Sequence, residues 1–440
     1  MAPGWVGPAA RQYTRAMSPS ERLRVQRPSD ILTSVAVRAA AVYGLAFGAV
    51  PAAAALGVTV YDMAKRQGRL RRPAQRPGTF QAQVSTSALT IFTSGQDVFD
   101  DMIAAIDGAQ ETVKLETYIW KDDATGRRFR DAVNRAAQRG VDVWVQYDGF
   151  GNLVVPRSFY RGFHPDVRVF RLPAFARPYW RGPVRHSGFN HSKILVVDGR
   201  VGYVGGYNIG DEYATEWRDT HVKEEGPAVW GLDHSISQVW NAAHPQEEQM
   251  GWITPLSWEP VVTVAANMPL RLTYPIRTVY LEAIDRAQRR IYISTPYFIP
   301  DRQVLEALKD AARRGVDVRV MIPKDSNHVV ADWVSRGFYA EMLDAGITVV
   351  LYAAGMIHAK TATIDGEWST VGTANIDRLS LSFNYETNLS VVDRDFAARM
   401  EEIFAADSAV SEVLTGARWK DRHGMARVVE TLMRPLRPLL

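Results

Sequence analysis

An α/β protein made of two related halves is what this sequence predicts. Three observations carry that expectation: a duplicated segment, an alternation of helical and strand patterns in each copy, and a polar signature recurring at one fixed distance. "AIDGAQETVKLETYIW" from Ala105 answers "AIDRAQRRIYISTPYF" from Ala283, and "AAQRGVDVWVQYD" answers "AARRGVDVRVMIP". Self-similarity on this scale marks one supersecondary unit used twice. Each copy reads helix, strand, helix, strand. Its Val- and Ile-rich runs are of the kind buried on both faces, so each half should hold a mixed, mostly parallel β-sheet flanked by helices.

The 440 residues suffice for two domains with packed cores, and a hydrophobic fraction of 46% with 23% charged residues excludes wholesale disorder. There is no cysteine, which removes disulfides, thiolate metal sites and a cysteine nucleophile together. Histidine becomes the nucleophile to look for. The net charge of +4 is unevenly spread. Residues 1–79 carry twelve Lys/Arg against Glu21, Asp30 and Asp62, a surplus of nine, and residues 416–440 carry six against Asp421 and Glu430, a surplus of four. The body between is therefore at −9. Nucleic-acid binders draw most of their affinity from basic surfaces, so no nucleic-acid partner is expected.

Four regions follow. Residues 1–79 form a basic N-terminal region in which 39–61 run 23 residues without a charge, long enough as a helix to cross about 30 Å of hydrocarbon. Six basic residues stand on either side, so the positive-inside rule selects no orientation, and a kinked anchor touching anionic headgroups at both ends fits equally well. Residues 69–78, rich in Arg, Pro and Gly, read as a linker. The first repeat is expected over 80–255, the second over 256–410, and a basic tail over 411–440. A strip mixing Tyr160, Arg161, Phe163, Phe170, Arg171, Phe175, Trp180 and Arg181 suits headgroup depth at a lipid interface.

Each repeat then presents the polar signature. The first has His191, Lys193, Asp198, Gly205, Gly206 and Asn208; the second has His358, Lys360, Asp365, Gly372, Thr373 and Asn375, each 167 residues on. The same offset pairs Asp219 with Glu386, each 28 residues beyond its histidine. In an extended chain, residues two apart face the same side, so His and Lys form one wall of a pocket. The Asp-Gly pairs read as tight turns, with Asp198 and Asp365 serving the backbone, and the returning strand brings Asn208 and Asn375 back beside the histidines. Gly206 and Thr373, being small, would let a phosphate approach the backbone.

These residues resemble the phospholipase D superfamily, whose hallmark H-x-K-x4-D-x6-G-[GST]-x-N both copies match. Within it, "GGYNIGDEYATEWRDTHVKEEGPAV", "STPYFIPD" and "NIDRLSLSFNYETNLSV" are similar to bacterial cardiolipin synthases. Two departures are visible: those synthases usually show Asn-x-Asp-x-Arg-Ser, whereas here Arg378 directly follows Asp377, and many have two clear apolar spans where this chain has the single weak segment 39–61.

The resemblance implies two phospholipase D-like repeats about a pseudo-two-fold axis, sharing one active site. It also implies a phosphohistidine intermediate, with His191 as nucleophile and His358 as general acid, although near-symmetry leaves the reverse open. Lys193, Lys360, Asn208 and Asn375 would hold the phosphoryl oxygens, and Asp219 and Glu386 would orient the histidine of the opposite repeat. No metal or other cofactor is called for, because lysines fill a divalent ion's place. The implied reaction is phosphatidyl transfer between two phosphatidylglycerol molecules at the cell membrane, with the catalytic body on the cytoplasmic side. A phospholipase D hydrolysing or exchanging headgroups is the alternative, and a nuclease on the same site fits the acidic body least.

Overall fold

A computed structural model describes residues 49, 52–57, 59, 60, 75–173, 188–255 and 257–439. Two eight-stranded sheets dominate it. The first runs Thr79–Val84, Ser87–Phe92, His221–Glu225, Val201–Gly205, Ile194–Val197, Thr112–Thr117, Asp142–Asp148, Arg168–Leu172. The second runs Val262–Asn267, Glu386–Val392, Trp368–Gly372, Thr361–Ile364, Arg290–Ser294, Asp317–Pro323, Thr348–Tyr352, Ser411–Leu414. Repeats with helices and mixed sheets are thus as the sequence implies, but the sheets are not mostly parallel. In each, only two of the seven pairings are parallel, those joining the three strands linked by helical crossovers. The motif hairpins and the strands flanking them make the rest antiparallel, because a tight turn reverses the chain whereas only a long crossover keeps its direction.

The duplicated words make matching structures. In Ala124–Gln138 the buried Phe129, Ala132, Val133 and Ala136 lie along one helical face, and Asp123 caps the first turn through the Gly126 N–H at 2.9 Å. That helix ends at Gly140 (φ +86°), and Arg302–Arg313 in the second half ends at Gly315 (φ +90°). In each, a backbone bond of 3.1 Å closes the turn, from Val141 N–H to Ala136 and from Val316 N–H to Ala311. A left-handed residue just past the helix needs glycine, which explains the shared "RGVDV".

Each sheet packs one face on helices of its own repeat, around Phe99, Phe129 and Val133 in the first and Ile284, Leu308 and Met342 in the second. Between the halves lies a shared apolar layer, to which Ile194, Val204 and Leu232 come from the first repeat and Val371, Leu389 and Phe396 from the second. A buried ion pair crosses the same boundary, Arg218 Nη2 and Nε reaching Asp407 at 2.7 and 3.0 Å.

Two expectations change here. The stretch read from its charge as a tail folds onto the second half: Ser411–Leu414 closes the sheet edge against Thr348–Tyr352, and Trp419 and Met433 are buried. In the described part of the aromatic strip the rings are half-buried against the core, Tyr160 on Tyr147 at 4.3 Å, Phe163 on Trp120 at 5.4 Å and Phe170 on Trp240 at 5.7 Å, while Arg161 and Arg171 are exposed. Its remainder from Phe175 lies outside the described residues, as does most of 39–61. Among the described residues no helix is long and apolar enough to cross a membrane.

Candidate active site

Both signature histidines stand on the approach to a central strand rather than within it: His191 and Lys193 precede Ile194–Val197, and His358 and Lys360 precede Thr361–Ile364. The opposite half holds these approaches extended. His191 N–H donates to the Tyr385 carbonyl at 3.0 Å and His358 N–H to the Arg218 carbonyl at 2.6 Å. Met356–Ile357 also pairs in parallel with Trp217–Arg218. Each histidine is therefore threaded beside the chain that carries the other repeat's carboxylate.

The side chains follow the backbone. Glu386 Oε2 and Oε1 lie 3.0 and 3.1 Å from His191 Nδ1, and Asp219 Oδ2 lies 2.6 Å from His358 Nδ1. A carboxylate at Nδ1 fixes the proton there and leaves the Nε2 lone pair as the reactive position. Lys193 Nζ donates to the His191 carbonyl at 2.6 Å, and Lys360 Nζ donates to the His358 carbonyl while lying 2.8 Å from His358 Nδ1. His191, His358, Asn208 and Asn375 all line one cavity of about 590 Å³.

Burial governs the electrostatics. It lowers the pKa of His191 against the opposing pull of Glu386, and with Lys360 and Lys193 it pushes His358 well below the usual imidazole value. Desolvation also brings Lys193 down to about 7 and Lys360 to about 8. Contrary to the shared wall expected, neither lysine lines the cavity; each is bonded to its own histidine, and an anion held by the lining imidazoles would restore protons to both.

The small residues have a task other than the one expected from the sequence. A Cβ at Gly206 would come within 2.1 Å of Asp219 Oδ1, so glycine clears the space in which that carboxylate lies. At the matching place, the Thr373 hydroxyl donates to Glu386 Oε2 at 2.6 Å. Neither residue lines the cavity; both position a carboxylate. Asn208 Oδ1 accepts the Ile119 N–H at 3.2 Å, whereas Asn375 Nδ2 donates to Asp377 at 3.0 Å.

Asp198 and Asp365 face the backbone. Asp198 accepts the N–H groups of Gln110, Glu111 and Thr112 at 2.8–2.9 Å, and Asp365 those of Gln288, Arg289 and Arg290 at 2.7–2.8 Å. Both adopt left-handed φ, +52° and +56°, in the turn. Asp198→Ala should therefore cost about 1–3 kcal/mol of stability in urea unfolding, with turnover per folded molecule kept within a few-fold. A hundredfold loss of turnover at unchanged stability would place Asp198 in the chemistry instead.

Several neighbours escaped sequence reasoning. Tyr118 packs edge-on against His191 at 4.8 Å and Trp217 against His358 at 4.9 Å. Trp217 stands two residues before Asp219, a same-face spacing that could have flagged it. Near Lys193, Asp148 accepts the Asn190 N–H at 2.8 Å, and the Asn190 amide donates to Glu116, whose carboxyl burial pushes up to about 8. The aligned repeats put Ser294, Ile357 and Pro323 at those places in the second half, so the two half-sites are not equivalent.

Fold and site together define an enzyme of the phospholipase D superfamily. The family model described as "Cardiolipin synthase, PLD-like domain" matches residues 102–229 and 280–408. The major cardiolipin synthase ClsA of Bacillus subtilis is 34% identical over 371 residues, 80% of this chain and 76% of that protein. A Staphylococcus aureus cardiolipin synthase is 35% identical over 376 residues, covering 80% and 73%. The solved phosphatidylserine synthase of Haemophilus influenzae Rd KW20 shares the fold, with a TM-score of 0.61 over 86% of this chain and 97% of that one at 14% identity. The chain belongs to the phospholipase D-like cardiolipin synthase family.

Proposed function

We propose that the protein joins two phosphatidylglycerol molecules into cardiolipin, releasing glycerol, through a phosphohistidine. The observation that supports this best is the reciprocal pairing: two histidines line one cavity, each held at Nδ1 by a carboxylate of the opposite repeat.

In the first step His191 Nε2 attacks the donor's phosphorus, forming a P–N bond while the P–O bond to the glycerol headgroup breaks. The His358 imidazolium, protonated once the anionic substrate is in place, gives its proton to the departing oxygen. Lys193, Lys360 and Asn208 hold the non-bridging oxygens. Asn375 lines the same cavity with its Nδ2 held by Asp377 at 3.0 Å, so it flanks the phosphoryl group. In the second step neutral His358 takes the proton of the acceptor hydroxyl, whose oxygen displaces His191 from phosphorus. Glu386 and Asp219 keep their rings in the required tautomer throughout.

A lipid substrate requires a membrane surface. The basic surplus of residues 1–79 suits anionic headgroups, and we place the catalytic body on the cytoplasmic side of the cell membrane. Purified protein incubated with phosphatidylglycerol vesicles should yield cardiolipin and glycerol in equal amounts, resolved by lipid chromatography. Phosphatidic acid as the main product would make the enzyme a hydrolase, and turnover of DNA with no lipid product would overturn the lipid assignment.

A further inference from the structure

Beside the catalytic cavity lies a second one of about 920 Å³, and Ile299 lines both. The short helix Arg378–Ser382 completes the partition: Leu379 and Ser380 line the catalytic cavity, whereas Arg378 and Ser382 line the second. The displaced arginine of the sequence thus belongs to the second cavity.

Four arginines line that cavity, Arg277, Arg302, Arg378 and Arg437, against Asp301, Glu306 and Glu341. The acids are already engaged. Asp301 binds Arg277 at 2.6 Å and caps the helix Arg302–Arg313, while Glu306 and Glu341 both bind Lys309, at 3.0 and 2.5 Å. Arg302 is exposed and has no ion-pair partner among the described residues. Arg437 is seated in a built cradle. Its guanidinium lies 4.1 Å over the Phe338 ring, in space that exists because residue 337 is glycine, where a Cβ would fall 2.3 Å from Arg437 Nη2. Its Nε and Nη2 are buried without a partner among the described residues. A half-buried guanidinium with no ion-pair partner among the described residues favours an oxyanion on the face it turns to the cavity, and its planar fork matches a phosphate.

We infer that this cavity is a phosphate subsite, built on Arg437 and Arg302, that holds the acceptor lipid's own phosphate while its hydroxyl reaches across Ile299 to the phosphohistidine. The inference rests on the phosphatidyl-transfer reading and adds to it how the acceptor is chosen. The acceptor is an anion, no lysine or arginine lines the catalytic cavity, and Lys193 and Lys360 beside it serve the phosphoryl group being transferred. A second phosphate therefore needs positive charge of its own. Water and free glycerol carry no charge and would gain nothing from the subsite.

The test uses full-length protein on phosphatidylglycerol vesicles with two readouts from one donor: cardiolipin formation, and exchange of the headgroup with labelled glycerol. Arg437→Gln should lower cardiolipin formation about tenfold or more, through a raised KM for phosphatidylglycerol surface fraction, while glycerol exchange stays within about threefold. Arg302→Gln, on an exposed residue, should show the same split with a smaller loss, and Arg437→Lys should fall between wild type and Arg437→Gln. Equal loss of both reactions in Arg437→Gln would overturn the subsite, as would an unchanged ratio in Arg302→Gln. Stimulation of the wild type by millimolar inorganic phosphate, lost in Arg437→Gln, would make this a free-phosphate site and overturn the acceptor assignment. Wild-type protein performing neither reaction would instead defeat the proposed function.

Discussion

His191→Ala should lower cardiolipin formation by at least about 10⁴-fold and abolish trapping of labelled phosphoenzyme in alkali-quenched reactions. The expected loss is this large because the covalent intermediate has no other route. Tyr118 packs beside the ring but offers a phenol whose pKa burial raises strongly, so it is no substitute nucleophile at neutral pH. His358→Ala should behave differently. It removes the proton donor, so turnover of phosphatidylglycerol collapses, whereas a substrate with a nitrophenol leaving group, which departs unprotonated, should still form phosphoenzyme. The pair of variants assigns the roles. Phosphoenzyme in His191→Ala and none in His358→Ala would reverse them.

Glu386→Gln should lower kcat about 10²- to 10⁴-fold at pH 7 and move both limbs of the pH profile toward acid. The acid limb reports protonation of the nucleophile. Burial depresses the His191 pKa and Glu386 partly restores it, so removing that charge lowers the value further and shifts the limb down. The alkaline limb reports loss of positive charge from Lys193, which desolvation has brought to about 7 and which Glu386 also supports. Without the carboxylate this lysine deprotonates at still lower pH. A glutamine amide pointing N–H at Nδ1 would also favour the wrong tautomer, so rate and profile should change together. The check is kcat/KM from about pH 5 to 9; a profile with unmoved limbs would show that Glu386 does not act on this pair.

Much of this site could be read in the sequence because its parts are local. The His-x-Lys spacing, the Asp-Gly turn and the return to asparagine are set within about 20 residues by strand alternation and turn geometry. The carboxylates 28 residues on were visible through the repeat. What escaped was non-local. No pattern within one repeat discloses that Tyr385 binds His191 through the backbone, that Gly206 makes room for a carboxylate, or that Arg437 reaches Phe338 across about a hundred residues. Charge counting also misled at the C-terminus: six basic residues suggested a solvated tail, yet Trp419 and Met433 anchor it and the arginines lie around them. The sheets were read as mostly parallel because the βα words are conspicuous, while the strands Thr79–Val84 and Val262–Asn267 carry no repeat signal.

Arg218 and Asp219 are chain neighbours with different duties: one grips Asp407 in the helix Arg394–Ala409, the other orients His358. The seam between the halves is thereby also the alignment gauge of the reaction. Loosening it by an ångström withdraws a carboxylate from an imidazole while both sheets stay folded, so warming should silence the enzyme before it melts. Substitutions on a helix remote from the substrate should then register as lost catalysis, and a half on its own would lack the carboxylate that holds its histidine.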